Sequence, residues 1–522
     1  MLTIYWRPWS GVLEASEDGY ACVQPPDFIA PEMTSEDCLT LNIFTTNLTA
    51  INRPVMLWIH GGGFSLGSKD LYRMRALIEE EVILVTINYR LHILGFLSFG
   101  NDVVSGNMGL RDQQLAINWV RQNIRAVGGD PDKVTIFGES AGAMSVQAQL
   151  LSPLNTGALA GAIAQSGSIL FLNFMEDTSK RTAVRTAEAL GCPTELDRRS
   201  LDCLQGVDIK AQLGLVSDNE TALTTDPSAT PRFPFYPVVD SFSSTPFLPT
   251  DPLTALMTGT FSPLPYISGF VKNEGALVSL AIRYSGRSGR EILSVAERTG
   301  PHLPYSLIGS DQRLSRVATR FYNHSVAETE IELERPAMDL ITDSYFGSYD
   351  QKSVELMSRY SKHVYNFYLS QQTNNSIFTP GPELVDYTPS HGDDLAFIVN
   401  EKTLEDAEEM SEEERSTARH MIRYWSNFAK YGQPSPVGRS EELATWYPVT
   451  PDTKVRQEAV NCSQGIHVCS CERIVLLRFK CPCPCHKWFS LMTKISIYLQ
   501  SSINYFKPDF IVTSLALHGA EG

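Results

Sequence analysis

Continuous apolar runs of strand length recur along the chain and predict a buried, largely parallel β-sheet. Strands that are covered on both faces read as unbroken runs of Val, Ile and Leu rather than as alternating patterns. Segments with helical spacing lie between these runs, which predicts an α/β architecture with helices packed on both faces of the sheet. The predicted strands span residues 39–44, 55–60, 82–88, 134–137, 264–269 and 363–369.

Two segments have the apolar periodicity of amphipathic helices. The first has one apolar face made of Leu115, Ala116, Trp119, Val120 and Ile124. The second begins at Ser411 and Glu414, which have the spacing of a capping box. Its apolar face comprises Met421, Ile422, Trp425, Phe428 and Ala429.

Ser140 lies where the predicted strand 134–137 gives way to a helical segment. The local sequence is Gly-Glu-Ser-Ala-Gly at 138–142, a G-x-S-x-G pattern. On a strand-to-helix turn this pattern lifts the serine hydroxyl above the sheet, and its glycines give the crowded backbone room. Ser140 is therefore a candidate nucleophile.

A glycine-rich loop follows the predicted strand 55–60 and reads His-Gly-Gly-Gly-Phe at 60–64. Acyl transfer to a serine builds negative charge on the substrate carbonyl oxygen, and backbone N–H groups aimed at that oxygen lower the barrier. Three glycines alone are also typical of a flexible turn. Paired with G-x-S-x-G, the loop is typical of the oxyanion hole in esterases and lipases.

A serine nucleophile needs a base, and the base needs an orienting carboxylate, both later in the chain. His391 stands in a polar loop after strand 363–369, whereas His363 falls in that strand and His420 in a helix, where structural roles are expected. Glu274 follows strand 264–269, but among 59 acidic residues the choice stays open on physical grounds. The histidines between Ser140 and the C-terminal segment are His302, His324, His363, His391 and His420.

At this point the chain resembles the type-B carboxylesterases, a family of carboxylesterases, cholinesterases and related lipases on the α/β-hydrolase fold. The resemblance covers roughly residues 8–455. The matching segments are S-E-D-C-L-T-L-N-I-F at 35–44, H-G-G-G-F at 60–64, N-Y-R at 88–90, G-N-M-G-L-R-D-Q at 106–113, G-G-D-P at 128–131, Q-S-G at 165–167, P-V-V-D at 237–240, N-E-G at 273–275, H-G-D-D at 391–394 and W-S-N-F-A at 425–429.

The resemblance implies a role for each candidate. It makes Ser140 the nucleophile, Glu274 the triad acid and His391 the general base. It implies that the oxyanion hole is formed by the N–H groups of Gly62, Gly63 and Ala141. It also places Glu139 and Ser166 in a buried polar network near the triad histidine, although Glu139 has a simpler reading as a carboxylate favoured by a helix N-terminus.

The resemblance further implies two loop disulfides, one between Cys22 and Cys38 and one between Cys192 and Cys203. Disulfides form in oxidising compartments. Glycosylation sequons, which are typical of secreted proteins, begin at Asn47, Asn219, Asn323, Asn374 and Asn461. We therefore expect a secreted glycoprotein.

Two departures from the family pattern bear on substrate. Cholinesterases bind the choline cation on an aromatic residue between the first two paired cysteines. This chain has only Phe28 there, which disfavours cholinesterase activity. After the Q-S-G motif, the run Ile-Leu-Phe-Leu at 169–172 replaces the Pro-Trp of many relatives. Either a roomier, apolar acyl pocket or a difference in packing would explain it.

Composition fits a large globular enzyme. The chain has 522 residues, of which 43% are hydrophobic and 20% charged, and its formal net charge is −16. That charge disfavours nucleic acid as a partner. We expect a small-molecule ester as the substrate, with no cofactor and no metal, while the oligomeric state stays open.

The two ends of the chain depart from the family. No signal peptide precedes Trp9, so we expect the catalytic domain, residues 8–455, to be N-terminally incomplete. Residues 456–522 form an unassigned Cys-rich segment. Its Cys-Pro-Cys-Pro-Cys-His at 481–486 lacks the spacing of zinc ligands, and its apolar stretch at 488–506 is too interrupted for a membrane span.

The sequence therefore predicts a secreted serine hydrolase that cleaves carboxylic esters. Two alternatives remain: a long-chain lipase or sterol-ester hydrolase, and a catalytically silent adhesion ectodomain of the same fold. Chain-length preference separates the two enzymes, and absence of turnover would favour adhesion.

Overall fold

The computed structural model describes most of the chain up to residue 451 and three short strands beyond it. The described residues are 18–25, 31, 33–172, 176–209, 213, 235–277, 335, 338–376, 386–399, 410–438, 443–451, 457–459, 461–462 and 465–466. The candidates His302, His324, Phe28, Asn219 and Asn323 lie outside them, as does the cluster at 481–486.

An eight-stranded sheet forms the centre of the molecule. Its strands are β3 (Leu41–Phe44), β4 (Arg53–Ile59), β5 (Ile83–Ile87), β6 (Gly129–Glu139), β7 (Gly161–Gln165), β8 (Tyr266–Val271), β9 (Val364–Leu369) and β10 (Gln457–Ala459). Their spatial order is β10-β9-β8-β7-β6-β4-β5-β3, and neighbouring strands run parallel except β3 and β5, which are antiparallel. Two short pairs stand apart from this sheet, namely β1 (Ala21–Cys22) with β2 (Thr34–Ser35) and β11 (Asn461–Cys462) with β12 (Gly465–Ile466).

All six predicted strands are present, and the predicted α/β-hydrolase fold with a mostly parallel sheet is confirmed. β7 was not predicted, because it is rich in small residues such as Gly161 and Ala162 and so lacks an apolar run of large side chains. His363 was predicted to lie inside a strand. His363 instead precedes β9 and is exposed.

The described helices lie between the strands and after them. They are α1 (Arg75–Glu79), α2 (His92–Phe96), α3 (Met108–Asn123), α4 (Ala141–Leu151), α5 (Glu176–Ala189), α6 (Arg198–Gly206), α7 (Pro252–Thr258), α8 (Ser348–Met357) and α9 (Glu412–Tyr431). A π-helix at Thr342–Gly347 directly precedes α8. Among the described residues, we find no helix with both the length and the apolar character needed to cross a membrane.

The two predicted helix faces fared differently. In α9, the capping box of Ser411 and Glu414 is present, and all five predicted apolar residues are buried. In α3 the prediction holds in part. Val120 is buried as predicted, and so is Ile124 just past the end of the helix. Leu115, Ala116 and Trp119 are only partly buried, whereas Leu110 and Ile117, which were not predicted, are fully buried.

Side chains alternate along β4 between two hydrophobic cores, one on each face of the sheet. Val55, Leu57 and Ile59 enter the larger core, which α3 and α4 cover. Met56 and Trp58 enter the second core, which α9 covers. Because both faces of the sheet are buried, β4 is expected to have apolar residues at successive positions rather than alternating apolar and polar ones.

Both disulfides implied by the family resemblance are present, Cys22 with Cys38 and Cys192 with Cys203. Of the predicted sequons, Asn47 and Asn374 are exposed. The Oδ1 atom of Asn47 accepts hydrogen bonds from the backbone N–H and the hydroxyl of Thr49, at 2.8 and 2.7 Å. The side chain at Asn461 lies outside what the structure describes.

Candidate active site

Ser140 occupies a sharp turn between β6 and α4. Its φ of 57° and ψ of −122° lie outside the regions that a residue with a side chain ordinarily adopts. The turn is held by two bonds: Ser140 N–H donates to the Gln165 carbonyl at 2.8 Å, and Met144 N–H donates to the Ser140 carbonyl at 3.0 Å. The hydroxyl is thereby raised above the carboxyl ends of the strands.

The glycines on either side of Ser140 allow β4 to pass close beneath the turn. A Cβ atom added at Gly142 would lie 2.1 Å from the Ile59 carbonyl oxygen, and one at Gly138 would lie 2.5 Å from the same atom. No side chain fits at those distances. The G-x-S-x-G pattern is therefore a packing requirement of this fold as well as a sequence motif.

His391 lies between Ser140 and Glu274. Its Nε2 atom is 2.8 Å from Ser140 Oγ, and its Nδ1 atom is 2.6 Å from Glu274 Oε2. Because a carboxylate only accepts hydrogen bonds, Nδ1 carries the proton when the imidazole is neutral, which leaves Nε2 to accept from the serine hydroxyl.

The carboxylate of Glu274 is fixed from both ends. Its Oε1 atom accepts a hydrogen bond from Val271 N–H at 2.9 Å, and the side chain is completely buried. The next residue is anchored too, since Gly275 N–H donates to Thr342 Oγ1 at 3.0 Å. Glu274 thus has one oxygen tied to its own strand end and one directed at His391.

The loop that carries His391 is tied to the loop that carries Glu274. Asn273 donates from its backbone to the Pro389 carbonyl and from its side chain to the Thr388 carbonyl, both at 3.0 Å. Within the His391 loop, Asp393 Oδ2 accepts from Ser390 N–H at 2.6 Å. These bonds fix the two loops relative to each other.

A cluster of buried carboxylates surrounds His391: Glu139, Glu274, Asp393 and Asp394. Burial by itself lowers the pKa of His391, but attraction to Glu139 and Glu274 outweighs burial and raises it. Burial also raises the pKa of Glu139, against the attraction of His391. The Oε1 atom of Glu139 lies 3.2 Å from Nε2, close enough for an ion pair, while Nε2 is aligned with Ser140 Oγ.

The glycine loop packs directly against the Ser140 turn. Gly62 and Gly63 have φ values of 96° and 61°, which favour glycine. A Cβ atom at Gly61 would lie 2.8 Å from the Glu139 carbonyl oxygen and 3.2 Å from Ser140 Cβ. Ala141 is the first residue of α4, so its N–H has no partner within the helix.

His60 supports this loop, a role that was not predicted from the sequence. It is fully buried, stacks on Tyr89 with ring centroids 4.4 Å apart, and places Nδ1 2.9 Å from the Gly61 carbonyl oxygen. Burial lowers the pKa of His60 to about 4, so the ring is neutral at physiological pH and donates from Nδ1. Its position at the head of the glycine motif was the available signal.

The two predicted network residues differ. Glu139 lies beside His391. Ser166 is buried next to the site with a φ of 53°, and its N–H donates to the Gly269 carbonyl at 2.8 Å. Within the described part of the chain its hydroxyl has no hydrogen-bond partner, so no direct bond joins its side chain to His391.

Aromatic residues of the π-helix make two contacts near the site, and Phe346 carried no sequence signal. The ring of Phe346, in the π-helix, lies 5.0 Å from the imidazole of His391. Phe171 packs 5.4 Å from Tyr345. The preceding residues Ile169 and Leu170 are buried in the larger core, which favours the packing explanation for this segment.

Comparison with known proteins gives the same fold and chemistry. The model of the carboxylesterase family matches residues 4–464. A carboxylic ester hydrolase of Bombus ignitus is 32% identical over 441 residues, which cover 82% of this chain and 77% of that protein. Pyrethroid hydrolase Ces2e of Rattus norvegicus is 31% identical over 489 residues, covering 86% and 77%. Bile salt-activated lipase of the same species is 31% identical over 470 residues, covering 85% and 72%.

These matches extend over the sheet, the Ser140 turn and the His391 loop together, and they agree with the α/β-hydrolase architecture. The chain belongs to the carboxylesterase family and is a carboxylic ester hydrolase.

Proposed function

We propose that this chain hydrolyses small carboxylic esters through an acyl-enzyme formed on Ser140, with His391 as general base and Glu274 as the residue that orients it. The observation that carries the proposal is the continuous hydrogen-bonded series from Ser140 Oγ through the imidazole to the buried Glu274, at 2.8 and 2.6 Å. Such a series activates a serine hydroxyl in unrelated hydrolases.

These positions support a reaction in two steps, acylation and deacylation. Ser140 Oγ attacks the ester carbonyl while His391 Nε2 takes its proton. The N–H groups of Gly62, Gly63 and Ala141 stabilise the tetrahedral oxyanion. The imidazolium then returns the proton to the departing alcohol, and a water activated by the same imidazole hydrolyses the acyl-enzyme to release the acid and regenerate Ser140.

We further propose that residues 8–455 act as one catalytic domain and that residues 456–522 take no part in catalysis, since the catalytic candidates all precede them. The edge strand β10 (Gln457–Ala459) pairs with β9 just past this boundary. Secretion is supported by the two disulfides and by the exposed sequons at Asn47 and Asn374.

A second candidate function is hydrolysis of long-chain esters. It is favoured by the similarity to a protein named bile salt-activated lipase. The adhesion alternative requires a protein whose triad residues do not catalyse ester hydrolysis. Complete absence of esterase activity in folded protein would therefore support it.

The nucleophile is tested by Ser140→Ala. We expect kcat for a short-chain aryl ester to fall by roughly 10⁴-fold or more, because removing a triad nucleophile costs about as much as removing the whole triad. Ser152→Ala is the matched control. Ser152 is buried at the end of the same helix, and its hydroxyl has no partner among the described residues, so activity should be kept.

Covalent labelling provides an independent measurement. An organophosphate should modify Ser140, as located by peptide mass spectrometry, and should fail to label Ser140→Ala. An adduct on a different serine, or wild-type turnover by the variant, would show that the assignment is wrong.

A further inference from the structure

A buried hydrogen-bonded relay connects helix α9 with the loop that carries His391. The indole N–H of Trp425 donates to Gln165 Oε1 at 2.9 Å, and Gln165 Nε2 donates to Asp394 Oδ2 at 2.7 Å. Trp425 is 2% exposed, and the other two side chains are completely buried. Asp394 follows His391 in the same loop, so the relay ends beside the general base.

The orientation of the Gln165 amide is set by Trp425. An indole nitrogen donates and never accepts, so the amide must present its oxygen to the indole. Its NH₂ group is then directed at Asp394, where it stabilises the ionised carboxylate more than the neutral acid. The indole N–H therefore determines, through one intervening residue, which form of Asp394 is favoured.

Asp394 lies among the other ionisable groups of the site: His391, Glu139, Glu274 and Asp393. Burial raises the pKa of its carboxyl to about 7, and the Gln165 hydrogen bond opposes that rise. The charge on Asp394 in turn raises the pKa of both His391 and Glu139. A change in Asp394 is thus transmitted to His391 by electrostatics.

We propose that Gln165 and Trp425 are positioning residues that hold Asp394 ionised beside His391 and so set the pH at which the general base becomes active. The inference rests on the triad of the proposed function and adds to it a contribution from helix α9. Trp425 touches neither substrate nor reacting atoms and acts only through Gln165 and Asp394.

The test is the pH profile of kcat/KM for Trp425→Phe. Without the indole N–H, the Gln165 amide is able to turn over and present its oxygen to Asp394, which favours the neutral acid. A neutral Asp394 no longer raises the pKa of His391, so the acidic limb of the profile should move to lower pH by about 0.5–1 unit. Substitution of Gln165 itself is less informative, because it removes the hydrogen bond to Asp394 and the one from Trp425 together.

Trp446→Phe is the matched control. Trp446 is 4% exposed in the same core as Trp425, with ring centroids 6.2 Å apart, and its indole nitrogen has no hydrogen-bond partner among the described residues. Both substitutions remove the same atoms from one aromatic cluster. A loss of packing alone would lower the melting temperature of both and leave both profiles in place.

Asp394→Asn provides the second arm, since it mimics a neutral Asp394 without a change of shape. It should move the acidic limb in the same direction, and Trp425→Phe should add no further shift in that background. The proposal is wrong if the pH profiles of Trp425→Phe and Trp446→Phe coincide. It is also wrong if adding Trp425→Phe to Asp394→Asn shifts the acidic limb further. If Trp425→Phe does not fold, an unshifted profile in Asp394→Asn overturns it. Failure of the triad is a different result, in which His391→Ala keeps turnover.

Discussion

At the scale of single residues, the charge of Glu139 affects His391 in two opposite ways. It immediately precedes Ser140, the proposed nucleophile, and its carboxylate lies 3.2 Å from His391 Nε2, the proposed acceptor of the serine proton. After burial, which acts in the opposite direction, Glu139 is the largest influence on the pKa of His391. A negative charge there favours the imidazolium that forms in the transition state but also keeps the resting base protonated to higher pH.

This balance predicts the pH dependence of the enzyme. Only neutral His391 is a base, and its pKa is raised above the ordinary 6.5. Activity should therefore rise with pH through a limb that lies above about 6.5. Glu139→Gln removes the nearest non-triad charge and should move that limb to lower pH. The measurement is kcat/KM against pH.

Glu188→Gln is the control for Glu139→Gln, because Glu188 is exposed on α5 and should leave the limb in place. An acidic limb that is unchanged in Glu139→Gln, or that moves upward, would contradict the assigned effect of the Glu139 charge.

At the scale of secondary-structure elements, the ends of β4 and β6 determine the geometry of the site. β4 leads into the glycine loop and β6 into the Ser140 turn, and the two strands are neighbours in the sheet, with Ile59 opposite Gly138. The glycine loop and Ser140 are therefore brought together by strand pairing. The close passage of Ile59 beneath Gly142 is the tightest point of this arrangement.

Gly142→Ala should disrupt that arrangement. The added Cβ would meet the Ile59 carbonyl at 2.1 Å, so β4 and α4 must separate. Overpacking of this kind costs about 1–3 kcal/mol of stability. The glycine loop should shift with β4, so we expect a lower melting temperature and a loss of kcat greater than the loss of folded protein explains.

Gly206→Ala is the appropriate comparison for Gly142→Ala. Gly206 is the last residue of α6, and a Cβ atom there would have no neighbour within 4 Å. Its melting temperature should be unchanged or slightly higher. Wild-type stability and activity in Gly142→Ala would show that the close approach is not a constraint.

Some elements and site residues could be predicted from the sequence, and others could not. Strands such as β4 and β5 are runs of large apolar residues and were predicted within a few residues of their bounds. β7 is not such a run, and it was missed. Ser140 follows from its motif, whereas Glu274 was singled out only by resemblance, since nothing local distinguishes it from other acidic residues. The relay joins Gln165 to Trp425 across 260 residues, and no local pattern encodes such a contact.

At the scale of the whole molecule, two cores hold the sheet between them, and the segment after β7 belongs to the larger one. Ile169 is fully buried and Leu170 is 6% exposed, both packed in that core rather than displaced toward an open cavity. The next residue, Phe171, packs its ring against those of Tyr345 and Tyr349. The family resemblance places this segment beside the acyl pocket, so residues packed in this way leave less room for a long acyl chain.

This packing predicts a preference for short acyl chains. Across aryl acetate, butyrate, laurate and palmitate, each assayed below its aggregation limit, kcat/KM should be higher for the first two by about tenfold or more, because a pocket without room rejects additional methylenes.

Phe171→Ala, which removes the ring packed against Tyr345, should raise the activity on laurate relative to butyrate. The exposed Leu154→Ala, on the surface after α4, serves as the control and should leave the ratio unchanged. Higher kcat/KM for palmitate than for butyrate in the unaltered chain would instead favour the long-chain lipase, and it would mean that the acyl chain binds somewhere other than beside Phe171.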